Sequence, residues 1–179
     1  MTSEHAAHEA WGTASLLAFL AADAGEATAS AKSAKRRGDI DSVDDETLTS
    51  MDALICGAPT WHTGADEQRS GTAWDEFLYD RLPSLDLSGK KVAIFGLGDQ
   101  SGYSDNFCDA MDELKSCFEA QGASVVGAVS TDGYDHTDSK SVAGGKFVGL
   151  ACDEDNQPDM SEDRVKAWVG QIKGEGMPL

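Results

Sequence analysis

Residues 53–64 read ALICGAPTWHTG and residues 91–103 read KVAIFGLGDQSGY. In each, a nearly continuous apolar run ends at glycine and passes into a polar loop. Runs without polar alternation predict strands covered on both faces, as in a parallel sheet. SVVGAV (124–129) and KFVGLA (146–151) are predicted as further strands. Helical patterns lie between them. Residues 72–82 start at Thr72 with Asp75 three positions on, the spacing of a capping box, and Phe77, Leu78 and Leu82 then share a face. Residues 105–121 place Phe107, Cys108, Met111, Leu114 and Phe118 on one stripe. A last helix is expected from near Ser161, with Met160 and Val165 as its hydrophobic staple and Val165, Trp168, Val169 and Ile172 as its buried face. Strands alternating with helices imply right-handed crossovers and an open α/β sheet.

Ligands of such sheets bind beyond the C-terminal ends of the strands. Two successive strands here end in unusual loops, Ala58-Pro59-Thr60-Trp61-His62-Thr63-Gly64 and Gly96-Leu97-Gly98-Asp99-Gln100-Ser101-Gly102-Tyr103. Each carries glycines that permit close backbone approach, and each delivers one aromatic ring. Two rings at neighbouring strand ends can sandwich a flat heteroaromatic ligand, with stacking contributing on the order of 1 kcal/mol per pair beyond burial. Packing of Trp61 on its own loop and a surface role for Tyr103 would explain either loop alone. Both loops in order, with matched glycines, favour a shared ligand.

The totals limit the remaining choices. A chain of 179 residues with 40% apolar and 26% charged content is expected to form one domain with a core. No run approaches the roughly 20 apolar residues of a membrane helix. SLLAFLAADAG (15–25) lacks the preceding basic residues of a secretory signal, and no Arg-rich transit segment is seen. The net charge of −18 argues against nucleic acid and suits docking on basic partners. Cysteines 56, 108, 117 and 152 have no metal-ligand spacing; a reducing compartment and packed thiols at Cys56 and Cys108 are expected. The four histidines do not cluster, and no metal is assigned. AKSAKRRG (31–38), with four basic residues, reads as a solvated face. Residues 130–146 lack a clear period and read as a loop inserted into the last strand region, a surface excursion.

Three longer stretches carry a family resemblance: GAPTWHTGADEQRSGTAWDEFLYDRLP (57–83), VAIFGLGDQSGYSDNFCDAMDEL (92–114) and GYDHTDSKSVAGGKFVGLACDEDNQ (133–157). They resemble the flavodoxins, specifically the long-chain type of cyanobacteria and algae, the third stretch matching that type's insertion. The similar part runs from about Asp39 to Gly174; residues 1–38 are atypical. The resemblance implies one flavodoxin-like domain over residues 1–179, an open parallel sheet of five strands with helices on both faces. It also implies noncovalent FMN that shuttles single electrons at low potential, as a ferredoxin substitute, without enzymatic acid–base residues. By matching position, Trp61 and Tyr103 would cover opposite faces of the isoalloxazine, and Thr60 would sit near the ribityl phosphate. The His62–Thr63 peptide, followed by Gly64, would reorient to meet flavin N5 on reduction. The family usually carries Asn where this chain has His62, which leaves that backbone function open and bears on potential and pH response. Asp99 and the backbone of Gly98 and Asn106 would meet the pyrimidine edge, and Asp105 and Asn106 would begin the next helix. Asp66, Glu67, Asp99, Asp105 and Asp109 would be the local acids that make a reduced, anionic flavin costly and so lower its potential. Expected partners are basic redox proteins such as ferredoxin–NADP reductase and photosystem I, met by a monomer in chloroplast stroma or cytoplasm.

The departure is at the N-terminus. The family opens with an apolar strand and a T-x-T-G-x-T phosphate loop at a helix N-terminus. The equivalent place here reads HEAWGTAS (8–15), where Gly12, Thr13 and Ser15 are the stand-ins, and EHAAHEA before it lacks the Val and Ile of a central strand. TASLLAFLAADAG (13–25) reads as a helix with Leu16, Phe19 and Leu20 inward. A short strand is expected around Ile40 and a helix near Asp44–Ser50. Three readings follow: an alternative gene start, a weak strand with a degenerate loop, or a flavodoxin-like interaction module without FMN. The first two together are favoured. A catalytic FMN-dependent quinone reductase ranks last, since no second substrate pocket is suggested.

Overall fold

The computed structural model describes residues 17–20, 36–58 and 70–179. Its centre is the pair of apolar runs just quoted. Strand β3 (Ala53–Ala58) and strand β4 (Lys91–Leu97) lie parallel, in register from Ala53↔Lys91 to Ala58↔Gly96. Side chains alternate across a strand. Leu54, Cys56, Val92 and Ile94 therefore enter one buried cluster, while Ala53, Ile55, Ala93 and Phe95 enter the other. Both faces are covered, so beyond Lys91 at the start of β4 the two runs are apolar throughout.

The sheet order is β2–β1–β3–β4–β5, with β1 at Leu17–Leu20, β2 at Arg36–Gly38, β5 at Ser124–Val126, and β9 (Leu150–Cys152) also paired to β4. β5 runs parallel to Lys91–Ala93, and β9 runs parallel to Phe95–Leu97. β3 occupies the other edge of β4, so β5 and β9 share one strand position, interrupted by the segment between them. The insertion into the last strand region is thus present as expected. β5 ends where Gly127 turns to φ 88, and Trp168 Nε1 donates to the Gly127 carbonyl at 2.7 Å. A Cβ at that glycine would lie 2.6 Å from the same indole nitrogen.

The first face is covered by helix α2, which begins at Ala73–Glu76, widens into a π-type turn at Phe77–Arg81 and tightens at Leu82–Ser84. Helix α3 (Ala110–Ala120) lies on the same cluster. Trp74, Phe77, Leu78 and Leu82 are buried, with Trp74 and Phe77 edge to face at 5.7 Å. The predicted α3 stripe of Phe107, Cys108, Met111, Leu114 and Phe118 is buried throughout. The second face is closed by helix α4 (Pro158–Gly174) through Trp168 and Ile172, joined by Met177. Helix α1 (Asp45–Ser50) starts where the acidic run predicted, with the Asp44 side chain accepting from Thr47 N at 2.6 Å. Arg81 fastens this region: its guanidinium donates to the carbonyls of Ile40 and Val43 and to the Asp45 carboxylate.

Several expectations need correction. Leu17–Leu20 is a strand, not part of a helix, antiparallel to both β2 and β3. It fills the slot between them, which needs an apolar segment with free backbone groups, and LAFL is such a segment. β1 is thus the one strand of this sheet that opposes the parallel direction of the others. The strand near Ile40 lies earlier, at Arg36–Gly38, so part of AKSAKRRG is sheet; Ile40–Ser42 forms a 3₁₀ turn. At Thr72 the capping box is shifted. The Thr72 hydroxyl accepts from Trp74 N, while Asp75 reaches back past Thr72 to the N–H groups of Ser70 and Gly71.

The helix expected from residue 105 starts at Ala110, because Cys108 adopts φ 56 and breaks the ladder. The freed carbonyls are taken from outside: Ser139 Oγ donates to Phe107 O and Ser141 Oγ donates to Cys108 O, both at 2.6 Å. Asp105 and Asn106 therefore stand in turns before the helix. α4 begins at Pro158, three residues before the expected start, and Met160 is exposed inside it, so there is no staple at that residue. The segment 130–146 is more than a surface loop. Together with flanking residues it forms a small antiparallel sheet of β6 (Val129–Ser130), β7 (Val142–Ala143) and β8 (Lys146–Phe147), in order β6–β8–β7. Phe147 is fully buried against Phe107, Tyr134 and His136.

Candidate functional site

The loop after β4 lies at the C-terminal end of the sheet, where an open α/β fold exposes its crevice. Gly98 leaves the strand with its N–H on the Cys152 carbonyl at 3.0 Å. A Cβ here would stand 2.7 Å from the Phe107 ring and 2.9 Å from Cys108 Sγ, so only glycine lets the chain turn this closely over the residues that precede α3. Asp99 then organises the turn. Its carboxylate accepts from Ser101 N at 3.0 Å and Gly102 N at 2.8 Å, and its carbonyl accepts from Tyr103 N at 2.9 Å. The outcome is a wound loop that projects Tyr103. That ring is 58% exposed, and Tyr103 and Met160 are the only exposed large apolar side chains among the described residues. Asn106 N donates to the Tyr103 carbonyl, and its side-chain amide donates to Asp109.

Two groups of residues brace this loop from elsewhere in the chain, and sequence reasoning assigned neither. The first is the turn after β9. Asp153 is fully buried, and its carboxylate accepts from Gln100 N at 3.0 Å, Asp155 N at 3.1 Å and Asn156 N at 2.9 Å. The Asn156 side chain bridges Asp153 to Asp99 Oδ1, the latter at 2.8 Å. The second is the insertion. Asp135 N donates to Gln100 Oε1, and Thr137 N donates to both the carbonyl and the hydroxyl of Ser104. A usable signal existed for Asp153: it directly follows an apolar strand, the position that faces the crevice in this architecture.

Gly98, Asp99, Tyr103 and Asn106 are thus brought together on one loop. Asp109 stands close by, its carboxylate accepting from Asn106 and from Lys140 N. Gly12, Thr13 and Ser15, the segment Thr60-Trp61-His62-Thr63-Gly64, and Asp66 and Glu67 lie outside the described residues. β3 ends at Ala58, three positions before Trp61 in the sequence, and is paired to the β4 end that leads into the Tyr103 loop.

Two carboxylates here, Asp99 and Asp153, are held ionised. The Gly102 N–H, then the Asn156 amide, keep Asp99 below the ordinary carboxylate range, outweighing slight desolvation. For Asp153 burial pushes upward, but the N–H donors of Gln100 and Asn156 prevail and the net direction is down. A carboxyl with a lowered folded-state pKa stabilises the fold above its unfolded value, and that contribution disappears as pH falls through the folded value. Urea midpoints should therefore drop on acidification from the ordinary carboxylate range downward. Asp153→Asn should start lower at neutral pH and lose less on acidification; a variant losing as much as the parent would contradict this origin. The nearby thiols play no ionic part, since burial pushes Cys152 up to about 12 and Cys108 well above its usual range. All four cysteines are free, and Cys56, Cys108 and Cys152 are buried. No helix among the described residues is long and apolar enough to cross a membrane.

Comparison with known proteins matches this geometry. The sequence profile described as Flavodoxin matches residues 10–168. The flavodoxin of Picosynechococcus is 51% identical over 135 residues, covering 75% of this chain and 76% of its own. Flavodoxin 1 of Escherichia coli K12 is 43% identical, covering 73% and 72%. Among solved structures, the Fusobacterium nucleatum flavodoxin bound to flavin mononucleotide aligns with a TM-score of 0.67 at 35% identity, over 75% of this chain and 77% of that one. With the sheet, the exposed ring after β4 and the interrupted last strand in place, the chain belongs to the flavodoxin family.

Proposed function

We propose that this protein is an electron carrier that holds one FMN noncovalently at the ends of β3 and β4. The observation that carries the reading is Tyr103: an exposed ring on a loop whose turn is already held by the Asp99 and Asp153 carboxylates. Such a loop is formed before any ligand arrives, so little ordering is required on binding. The described residues fit a flavin by the same token, offering a flat apolar face with a carboxylate and closely turned backbone beside it.

When bound, FMN supplies the one-electron chemistry, and the protein supplies orientation and electrostatics. Tyr103 would cover one face of the ring system and Trp61 the other. Asp99, with the backbone of Gly98 and Asn106, would hold the pyrimidine edge. Thr60 would lie by the ribityl phosphate, with Gly12 and Thr13 as its remaining anchors. The His62–Thr63–Gly64 backbone would respond to reduction at the central ring. Asp99, held below the ordinary carboxylate range, would raise the cost of added negative charge on the flavin and so lower its potential, with Asp105 and Asp109 as further local acids. The reading as an interaction module without flavin is not favoured, because relatives this similar are flavodoxins and the similar solved structure holds FMN.

The finer reading concerns partners and place. A net charge of −18 steers the chain toward basic redox proteins, of the kind represented by ferredoxin–NADP reductase and photosystem I. The scarcity of exposed large apolar side chains among the described residues supports action as a monomer. Free cysteines support a reducing compartment, the cytoplasm or a stroma of similar poise. The test is coupled: the FMN-loaded chain, ferredoxin–NADP reductase, NADPH and cytochrome c are mixed. Cytochrome reduction that rises with added chain and weakens with salt is expected. A rate no greater than that of the reductase alone would reject the carrier role.

A further inference from the structure

We propose that Asn156, outside every segment so far assigned to the flavin, is a positioning residue for it, tying the Asp99–Tyr103 loop to the buried carboxylate of Asp153. This rests on the reading that Asp99 and Tyr103 meet FMN. The geometry is specific. Asn156 Nδ2 donates to Asp99 Oδ1 at 2.8 Å, to Asp153 Oδ2 at 2.8 Å and to Asp153 Oδ1 at 3.0 Å. All three partners are carboxylate oxygens that cannot donate when ionised, so the amide nitrogen must face them. Its two hydrogens are thereby shared between two negative groups that would otherwise repel across the gap. Asn156 is itself fixed, since its backbone N–H also donates to Asp153 Oδ1 at 2.9 Å. On the opposite side, Gln100 N donates to Asp153 Oδ2 at 3.0 Å, so Asp153 holds the loop through its backbone and, by way of Asn156, through Asp99.

The consequence is mechanical and electrostatic. Removing the amide leaves Asp99 held only by its own turn, facing the Asp153 carboxylate with no donor between the two negative groups. The loop then moves away from the turn after β9 and carries Tyr103 with it. Displacements of about 1 Å at a binding or reacting group are enough to cost large factors. Asp99 also loses one of the donors that keeps its carboxyl low, so its protonation begins at higher pH.

Asn156 is solvent-facing, and its replacement leaves the core alone. The experiment titrates FMN into the apo forms of the parent, Asn156→Ala, Asn156→Asp and Tyr103→Ala, from neutral pH into the acid range, with melting curves alongside. Asn156→Ala should weaken FMN by roughly three- to tenfold with a near-parental melting temperature, and its acid-side loss of affinity should set in at higher pH than the parent's. Asn156→Asp should bind worse than Asn156→Ala at neutral pH and recover on mild acidification, as the added carboxyl gains a proton to donate. Unchanged affinity and pH profile in Asn156→Ala would overturn the positioning role. If Tyr103→Ala is weakened in that case, the role of Asn156 falls alone; if Tyr103→Ala is also unchanged, the placement of flavin at this loop falls with it.

Discussion

Alanine in place of Phe107 is expected to lower the stability of the fold by about 3–5 kcal/mol. The ring is fully buried and lies 5.5–5.8 Å, centroid to centroid, from His136, Phe147 and Tyr134. These three come from the insertion, while Phe107 precedes α3 and presses on Gly98. One side chain therefore joins the inserted sheet, the helix start and the loop that carries Tyr103. Cys108 beside it is held at φ 56, so the backbone has little freedom to collapse into the void. Urea denaturation reads the loss directly. Phe118→Ala provides the comparison: equally buried, it should cost a similar amount while leaving FMN affinity near the parent's, because it lies at the far end of α3. A loss below about 1 kcal/mol for Phe107→Ala would show that the insertion is not anchored here.

The second large effect is on binding. Tyr103→Ala should weaken FMN by about 1–3 kcal/mol, roughly five- to 150-fold in Kd. The apo fold should barely change, since an exposed ring contributes little to it. Trp61→Ala, by the proposed role of that residue on the other flavin face, should fall in the same range. The separation matters more than the size. A ring that is costly to remove only when FMN is present must be covered by FMN, and equal losses of stability and affinity would instead make Tyr103 a packing residue.

What could be read from the sequence was set by how far each interaction reaches. β3 and β4 were legible because burial on both faces leaves no polar position, and that constraint is written into consecutive residues. The α3 stripe was legible for the same reason at helical spacing, and α1 was announced by the acids Asp44, Asp45 and Glu46, whose charge suits a helix N-terminus. β1 was not, because LAFL fits a helix or a strand equally, and the choice is made by the empty slot between β2 and β3. The start of α3 was placed five residues too early, because the hydroxyls that take its carbonyls, on Ser139 and Ser141, lie about thirty residues downstream. The site divides likewise. Gly98, Asp99 and Tyr103 form a local pattern. Asp153 and Asn156 act only across the fold, and in the sequence they look like one more acidic turn in an acidic chain.

The central claim is that a flavin sits at the ends of β3 and β4, and one titration tests it most directly. FMN is added to the purified, flavin-free chain while flavin emission is followed. Emission should stay quenched up to one FMN per chain and rise beyond that point, and the protein should remain yellow after desalting. Emission that grows with the first addition as in buffer alone, and a colourless protein after desalting, would contradict it.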